Sequence, residues 1–253
     1  MIIKTDGIVL KSIDYGESHK IIHLLTPTLG KLSTLAMGAK KTRSKFSATT
    51  QPLTLGSFVM YKKEATLGRL NESELIKTYS NIRKDLLLSS YMMYLSDLTD
   101  RVTIENENTE EIYKLLLNIL DKIDSGMFDA EILVRIYEIK LFSLRGYRPQ
   151  FDECIECSTT DKGYAYRFSI SLGGYICGAC FSKDQHAIQI SQPVAKLLRV
   201  FQYIDIDKIG NISIKKSSRE EIRQINQRFI EHYFGIKLKW FNVIDDIKNM
   251  YDL

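Results

Sequence analysis

The sequence predicts an α+β multidomain protein: a small β-barrel in front, a mostly α-helical remainder, and a four-cysteine zinc module inserted between helices. Three observations carry this. Residues 2–76 hold five short segments rich in β-branched residues, punctuated by glycine and proline. From about residue 82 the apolar period changes to three- and four-residue steps. All four cysteines fall within 154–180 as two C-x-x-C pairs. The expected domains are 1–80 for the barrel, 81–149 and 191–253 for the two helical parts, and 150–190 for the cysteine module.

In chain order, Ile2–Ile13 is the first predicted strand, followed by a turn at Asp14-Tyr15-Gly16-Glu17-Ser18. Lys20–Thr26, Lys31–Ala36, Gly56–Lys62 and Leu67–Ile76 supply four more. Five strands in so short a stretch suit a closed barrel, which has no free edge to protect. Leu86, Leu87, Tyr91, Tyr94, Leu95 and Leu98 mark the first long helix. Thr109 starts a second, with Ile112, Leu115, Leu116, Ile119, Leu120 and Ile123 as its stripe. Asp129 caps a third, which stops at Arg145-Gly146-Tyr147-Arg148-Pro149. Ser191-Gln192-Pro193 opens a fourth. Ser217-Ser218-Arg219-Glu220 reads as a capping-box start for a last one, ending near Gly235.

Hydrophobic residues at 44% and charged residues at 26% exclude a largely disordered chain. No apolar run reaches the ~20 residues a membrane span needs. Asp6 sits where a secretory signal would place its apolar core, so no export signal is expected. The net charge of +4 is unevenly spread. Residues 1–83 carry 13 Lys/Arg against 6 Asp/Glu, or +7, and the rest carries −3. Such asymmetry points to a basic module facing a polyanion, the plainer alternative being solvated surface lysines.

Cys154-Ile155-Glu156-Cys157 and Cys177-Gly178-Ala179-Cys180 are separated by 19 residues. Two-residue spacing lets both thiolates of a pair reach one tetrahedral ion, and the second pair completes the sphere. Gly173-Gly174 reads as the hairpin turn that brings the second pair back, and Gly178 as an aid to tight folding. The expected ion is a structural Zn²⁺. Two disulfides or reduced buried thiols are the alternatives, and disulfides conflict with the missing export signal.

Lys40, Lys41, Arg43 and Lys45 place four cations in six positions between β segments, on an expected exposed loop. With Lys11 and Lys20 flanking the first turn they form a track that can neutralise phosphates. Tyr15 and Phe46 are candidate stacking platforms, with core packing the stronger expectation for Phe46. The histidines, His19 and His23 among them, lie in no metalloenzyme spacing and read as polar strand or rim residues. Asp205/Asp207 and Asp245/Asp246 fall in turn or tail contexts. No Gly-x-x-x-x-Gly-Lys-Ser/Thr phosphate cradle occurs. No catalytic constellation is found, so a non-enzyme is expected.

Several segments resemble a known family. Asp6-Gly7-Ile8-Val9-Leu10-Lys11, Asp14-Tyr15-Gly16-Glu17-Ser18 and Gly38-Ala39-Lys40-Lys41 followed by Gln51-Pro52 resemble the amino-terminal barrel of the bacterial recombination mediators of the RecO family. Tyr137–Pro149, running into the first cysteine pair, is similar to that family's helix leading to its zinc module. Where many relatives carry arginines after Gly-Ala, this chain has Lys40 and Lys41, point charges rather than bidentate forks.

The resemblance implies an OB-like barrel and a cytoplasmic, non-enzymatic DNA-repair protein. Such a protein binds single- and double-stranded DNA, anneals complementary strands, and acts with RecR to help load RecA on DNA coated by the single-strand binding protein SSB. The acidic C-terminal tail of SSB is expected on the helical domain, with Arg135, Lys140, Arg145, Arg199 and Arg223 as candidate contacts. Two other readings stand beside it. One is a zinc-module interaction adaptor whose barrel is only a scaffold. The other is a zinc-dependent nucleic-acid enzyme, disfavoured because four cysteines saturate the ion.

Overall fold

The computed structural model describes residues 1–63, 66–160, 167–210, 212–237 and 239–251. Its strands are β1 (Ile2–Tyr15), β2 (His19–Leu25), β3 (Lys31–Ala36), β4 (Leu55–Tyr61) and β5 (Gly68–Lys77), then β6 (Arg167–Ser169), β7 (Gly174–Ile176) and β8 (Ile188–Gln189). Its helices are α1 (Ser80–Lys84), α2 (Leu86–Val102), α3 (Glu110–Asp124), α4 (Ala130–Leu144), α5 (Gln192–Tyr203), α6 (Lys216–Phe234) and α7 (Trp240–Met250). Two compact units result: Met1–Gly126 with Leu238–Leu253, and Met127–Lys237.

In the first unit β1 to β5 close in the order β1-β2-β3-β5-β4, the OB-like barrel. All pairings are antiparallel except β3 with β5, which run parallel at Thr34–Gly68 and Leu35–Arg69. The alternation of the sequence sets which side chains fill it. Leu32, Thr34 and Ala36 of β3, and Phe58 and Met60 of β4, point inward and are buried. They meet Ile3, Val9, Ile22, Leu24 and Leu70 in one core. β1 has four consecutive buried residues, Gly7–Leu10, because both of its faces are covered: Val9 joins the barrel core, Ile8 and Leu10 lie outside that core, and α2 packs on this strand. Its register with β2 shifts between Val9 and Lys11, a bulge. That bulge lets one long strand pair with β4 through its first half and β2 through its second.

α2 lies against β1, the Ser96 hydroxyl donating to the Leu10 carbonyl at 2.6 Å. Asp85 caps α2 by accepting from the Leu88 amide at 2.8 Å. α7 returns to this unit, with Phe241 against Tyr94 at 5.1 Å between ring centroids. The grouping therefore differs from a cut at residue 80: α2, α3 and α7 belong with the barrel. Asp245 and Asp246, expected in a tail, lie on α7, whose Phe241, Ile244 and Ile247 are buried at helical spacing. Thr109 precedes α3 as expected but gives it no side-chain cap. Its hydroxyl donates to the Thr26 carbonyl at 2.6 Å, a tie to the barrel.

In the second unit α4 is buried nearly all round. Asp129 caps it through the Ile132 amide at 3.2 Å, as the sequence indicates. Its end is a Schellman turn: Tyr147 N–H reaches the Phe142 carbonyl at 2.9 Å, Gly146 N–H reaches Ser143 at 3.1 Å, and Gly146 takes φ 84°. Phe142 stacks on Phe229 of α6 at 4.6 Å. α6 starts at Lys216, so Ser217 lies inside the helix and the expected capping box does not form. Glu220 instead receives Gln224 and Arg223. Arg219 holds this first turn by reaching Asp129 at 2.6 Å and the Ile214 carbonyl at 3.0 Å. β6, β7 and β8 form a small sheet, with Gly173 (φ 76°) in the β6–β7 turn.

Candidate nucleic-acid interface and metal centre

The segment between β3 and β4 crosses one end of the barrel. Ala39 and Phe46 are buried in the barrel core and anchor it from within. Between them the chain steps through i to i+3 turns, Lys41 N–H to Gly38, Ser44 N–H to Lys41 and Ser47 N–H to Ser44. This coil leaves Lys40, Lys41, Arg43 and Lys45 at the surface. Phe46 is thus core, as the stronger expectation had it, and offers no stacking face.

The β1–β2 turn meets this loop. Tyr15 pairs with His19 across the hairpin, Asp14 with Lys20, and Gly16 makes the turn at φ 59°. The Ser18 carbonyl accepts from the Lys40 amide at 3.0 Å. The Lys40 ammonium sits 2.8 Å from Asp14. This hydrogen bond, helped by the charge of Lys20, holds the Asp14 carboxyl below the usual carboxylate range. Tyr15, 53% exposed, Lys20, Lys40 and Lys41 therefore share one end of the barrel. Arg43 and Lys45 continue along the loop, Lys45 leaning to β5 with a 2.9 Å bond to the Asn71 carbonyl. Lys11, exposed opposite His23, lies about 10 Å along β1 from Asp14. The arrangement can present spread positive charge and one aromatic face to a polyanion.

Sequence reasoning missed two histidine contacts. His23 donates from Nδ1 to Asp100 at 2.7 Å, and Lys31 also reaches this carboxylate at 3.4 Å. His19 Nδ1 accepts from the Gly38 amide at 2.9 Å. Neither has a local signal, since the partners lie 77 and 19 residues away.

In the second unit the sulfurs of Cys154, Cys157, Cys177 and Cys180 all lie within 4.8 Å of one another. Cys157 and Cys177 are 3.7 Å apart. A tetrahedral ion with metal–sulfur bonds of about 2.3 Å puts its sulfurs about 3.8 Å apart, so the donor set fits. The first pair turns tightly, Ser158 N–H to the Cys154 carbonyl at 2.8 Å. The second pair sits at a 3₁₀ turn, Cys180 N–H to Cys177 at 3.1 Å. Gly178 has open space where a Cβ would stand, so the turn does not depend on its being glycine. Burial would raise the Cys154 thiol, but the amides of Cys177, Cys157 and Glu156 bring it down to about 6. The Cys180 thiol is pushed up to about 12 by hydrogen bonding with Cys157 and Cys177. A divalent cation would take the place of the shared protons and favour thiolates throughout. With four sulfur ligands no coordination position is left for a substrate.

The candidate partner residues separate. Arg135 is 2% exposed and forks onto buried Glu138 at 2.7 and 2.9 Å, so it is a core ion pair and no surface contact. Lys140 and Arg199 come together around the end of α5: Lys140 donates to the Gln202 carbonyl at 3.3 Å, and Arg199 meets Asp152 at 2.6 Å. Burial lowers the Lys140 ammonium's pKa. The Tyr203 hydroxyl also bonds Asp152, and Arg148 lies over the Tyr203 ring at 5.4 Å. Arg223 is elsewhere on α6 with Glu220 at 3.0 Å, and Arg145 is half-buried at the end of α4.

An OB-like barrel with a basic rim, in a chain whose helical part carries four clustered cysteines that could hold a metal ion, defines a barrel-plus-helix class of protein. Among the described residues no helix is long and apolar enough to cross a membrane. Comparison with known proteins narrows the class. The family model "Recombination protein O N terminal" matches residues 1–79, and "Recombination protein O C terminal" matches residues 83–240. The chain is 36% identical over 250 residues to a protein of Halalkalibacterium halodurans, covering 99% of this chain and 97% of that one. It is 38% identical over 250 residues to one of Bacillus pumilus (99% and 96%) and 36% over 236 residues to one of Listeria monocytogenes (93% and 91%). All three are named DNA repair protein RecO. The chain belongs to the RecO family of DNA repair and recombination proteins.

Proposed function

We propose that this chain is a cytoplasmic, non-enzymatic recombination mediator. It binds single- and double-stranded DNA through Lys11, Lys20, Lys40, Lys41, Arg43, Lys45 and Tyr15, and anneals complementary strands. It acts with RecR to help load RecA on SSB-coated DNA. The observation that supports this best is the loop of four exposed cations fastened beside exposed Tyr15 at one end of the barrel. Phosphate neutralisation releases counterions and lowers the repulsion between two strands, so annealing needs no covalent step. The four cysteines hold Zn²⁺, which supplies folding energy to the segment whose buried cluster of Cys154, Ile176 and Ala187 packs beside them. Lys140 and Arg199, beside exposed Tyr203 and Val200, are the contacts proposed for the acidic SSB tail, with Arg145 and Arg223 secondary.

The test is strand annealing with and without SSB, for wild type and for Lys40→Glu with Lys41→Glu. The double reversal is expected to weaken binding to all oligonucleotide sequences alike and to flatten the salt dependence, log K against log salt, by about 1–2 in slope. Unchanged affinity in a folded double variant would favour the adaptor reading. Cleavage or ligation of the DNA would favour an enzyme.

A further inference from the structure

The loop carrying Lys40, Lys41, Arg43 and Lys45 leaves β3 at Gly38, whose φ is 70°. That first turn is tied to the β1–β2 hairpin by three polar contacts. The Ser18 carbonyl takes the Lys40 amide, Asp14 takes the Lys40 ammonium, and the His19 ring takes the Gly38 amide. The third tie has a specific chemical demand. Nδ1 can accept only while it carries no proton, so the ring must be neutral with its hydrogen on Nε2. Ser18 Oγ lies 3.4 Å from the same nitrogen. A side chain one strand away thus supplies the acceptor that a turn amide at the loop's root needs.

We propose that His19 is a positioning residue for the DNA-binding loop: its unprotonated Nδ1 holds Gly38, and through Gly38 the direction in which Lys40 and Lys41 project. The inference rests on the reading of this loop as the DNA contact. The charged and titratable groups around the ring are Tyr15 across β1, Asp14 and Glu17 at the turn, Lys20 on its own strand, and Lys40 and Lys41 on the loop. Protonating the imidazole turns the acceptor into a donor facing a donor, while adding a charge that by itself favours DNA. Loop order and DNA affinity therefore respond differently to acid, and they are read separately.

The experiment compares wild type, His19→Leu and His19→Asn, each checked for an unchanged melting transition. Asn is the conservative variant because its Oδ1 stands about where Nδ1 does and accepts at any pH. Amide protection factors of Gly38 and Lys40, measured without DNA at pH 7.5, are expected to fall about tenfold in His19→Leu, the value of one neutral hydrogen bond. They are expected to return to the wild-type level in His19→Asn. Affinity for a labelled single-stranded oligonucleotide at pH 7.5 is expected to drop several-fold in His19→Leu and be restored in His19→Asn. Unchanged protection in His19→Leu overturns the proposal, as does failure of a folded His19→Asn to restore it. Lost protection with unchanged DNA affinity overturns His19's part in the grip. If instead Lys40→Glu with Lys41→Glu leaves DNA binding intact while His19→Leu loosens Gly38, the DNA reading fails and the hinge stands.

Discussion

Replacing Glu138 by alanine tests the interior of the helical unit. The Glu138 carboxylate is fully buried, accepts both bonds from Arg135, and takes a third from Asn226 Nδ2 at 2.7 Å. It sits on α4 facing α6 with 0% exposure, so solvent does not reach it. Removing the carboxylate takes a bidentate counter-charge from a guanidinium inside the unit, which costs about 3–5 kcal/mol. The stranded Asn226 donor falls within that range rather than adding to it, because the three groups form one network. With an m-value of about 2 kcal/mol/M in urea, the midpoint moves down by about 2 M. The probe matters. Trp240, the single tryptophan, lies in the other unit and is a poor reporter, so hydrogen exchange of the α4 and α6 amides in graded urea is the assay. The matched variant Arg135→Met with Glu138→Leu removes both charges and is expected within about 1 kcal/mol of wild type or above it. A loss below about 1 kcal/mol in Glu138→Ala would refute the buried ion pair.

Chelator titration of the zinc-loaded protein is expected to release one ion per chain and remove exchange protection from β6 and β7. Cys177→Ser reproduces the loss, and retained protection without metal counts against a structural centre. Asp100 predicts an acid-side slope. Burial alone would raise its carboxyl, but the bonds from His23 and Lys31 more than offset this and hold it below the usual range. A depressed folded pKa stabilises above the unfolded value and is lost as pH falls through the folded one. Wild type is therefore expected to lose stability below about pH 4, and Asp100→Asn to lose less over the same interval. Phe58→Ala empties the middle of the barrel and is expected to cost about 3–5 kcal/mol by denaturation of the first unit.

Much of the fold was legible because it is local. β3 and β4 announce themselves by strict alternation, and the four cysteines by spacing. Asp129 and Gly146 mark the two ends of α4 by chemistry that acts within a turn. The misreadings are local signals overruled at a distance. Thr109 begins α3 as read, but a buried Thr26 carbonyl rather than the helix takes its hydroxyl. Ser217 looks like a helix start, yet Arg219 secures a turn before it. Arg135 differs: its partner Glu138 is only one turn on, and what the sequence does not show is that α6 packs on the pair and reaches Glu138 through Asn226.

The site divides the same way. Which cations could meet phosphate is a matter of composition, and so is which thiols could meet a metal. Residue types and spacings are properties of the chain, because side-chain chemistry and turn geometry do not need the rest of the molecule. Which of those cations share one barrel end, that Phe46 plugs the core while Tyr15 stands out, and that His19 receives Gly38 were decided only when β1, β2 and the loop closed on each other. Burial and long-range hydrogen bonds depend on what the fold brings alongside. No window of sequence contains that.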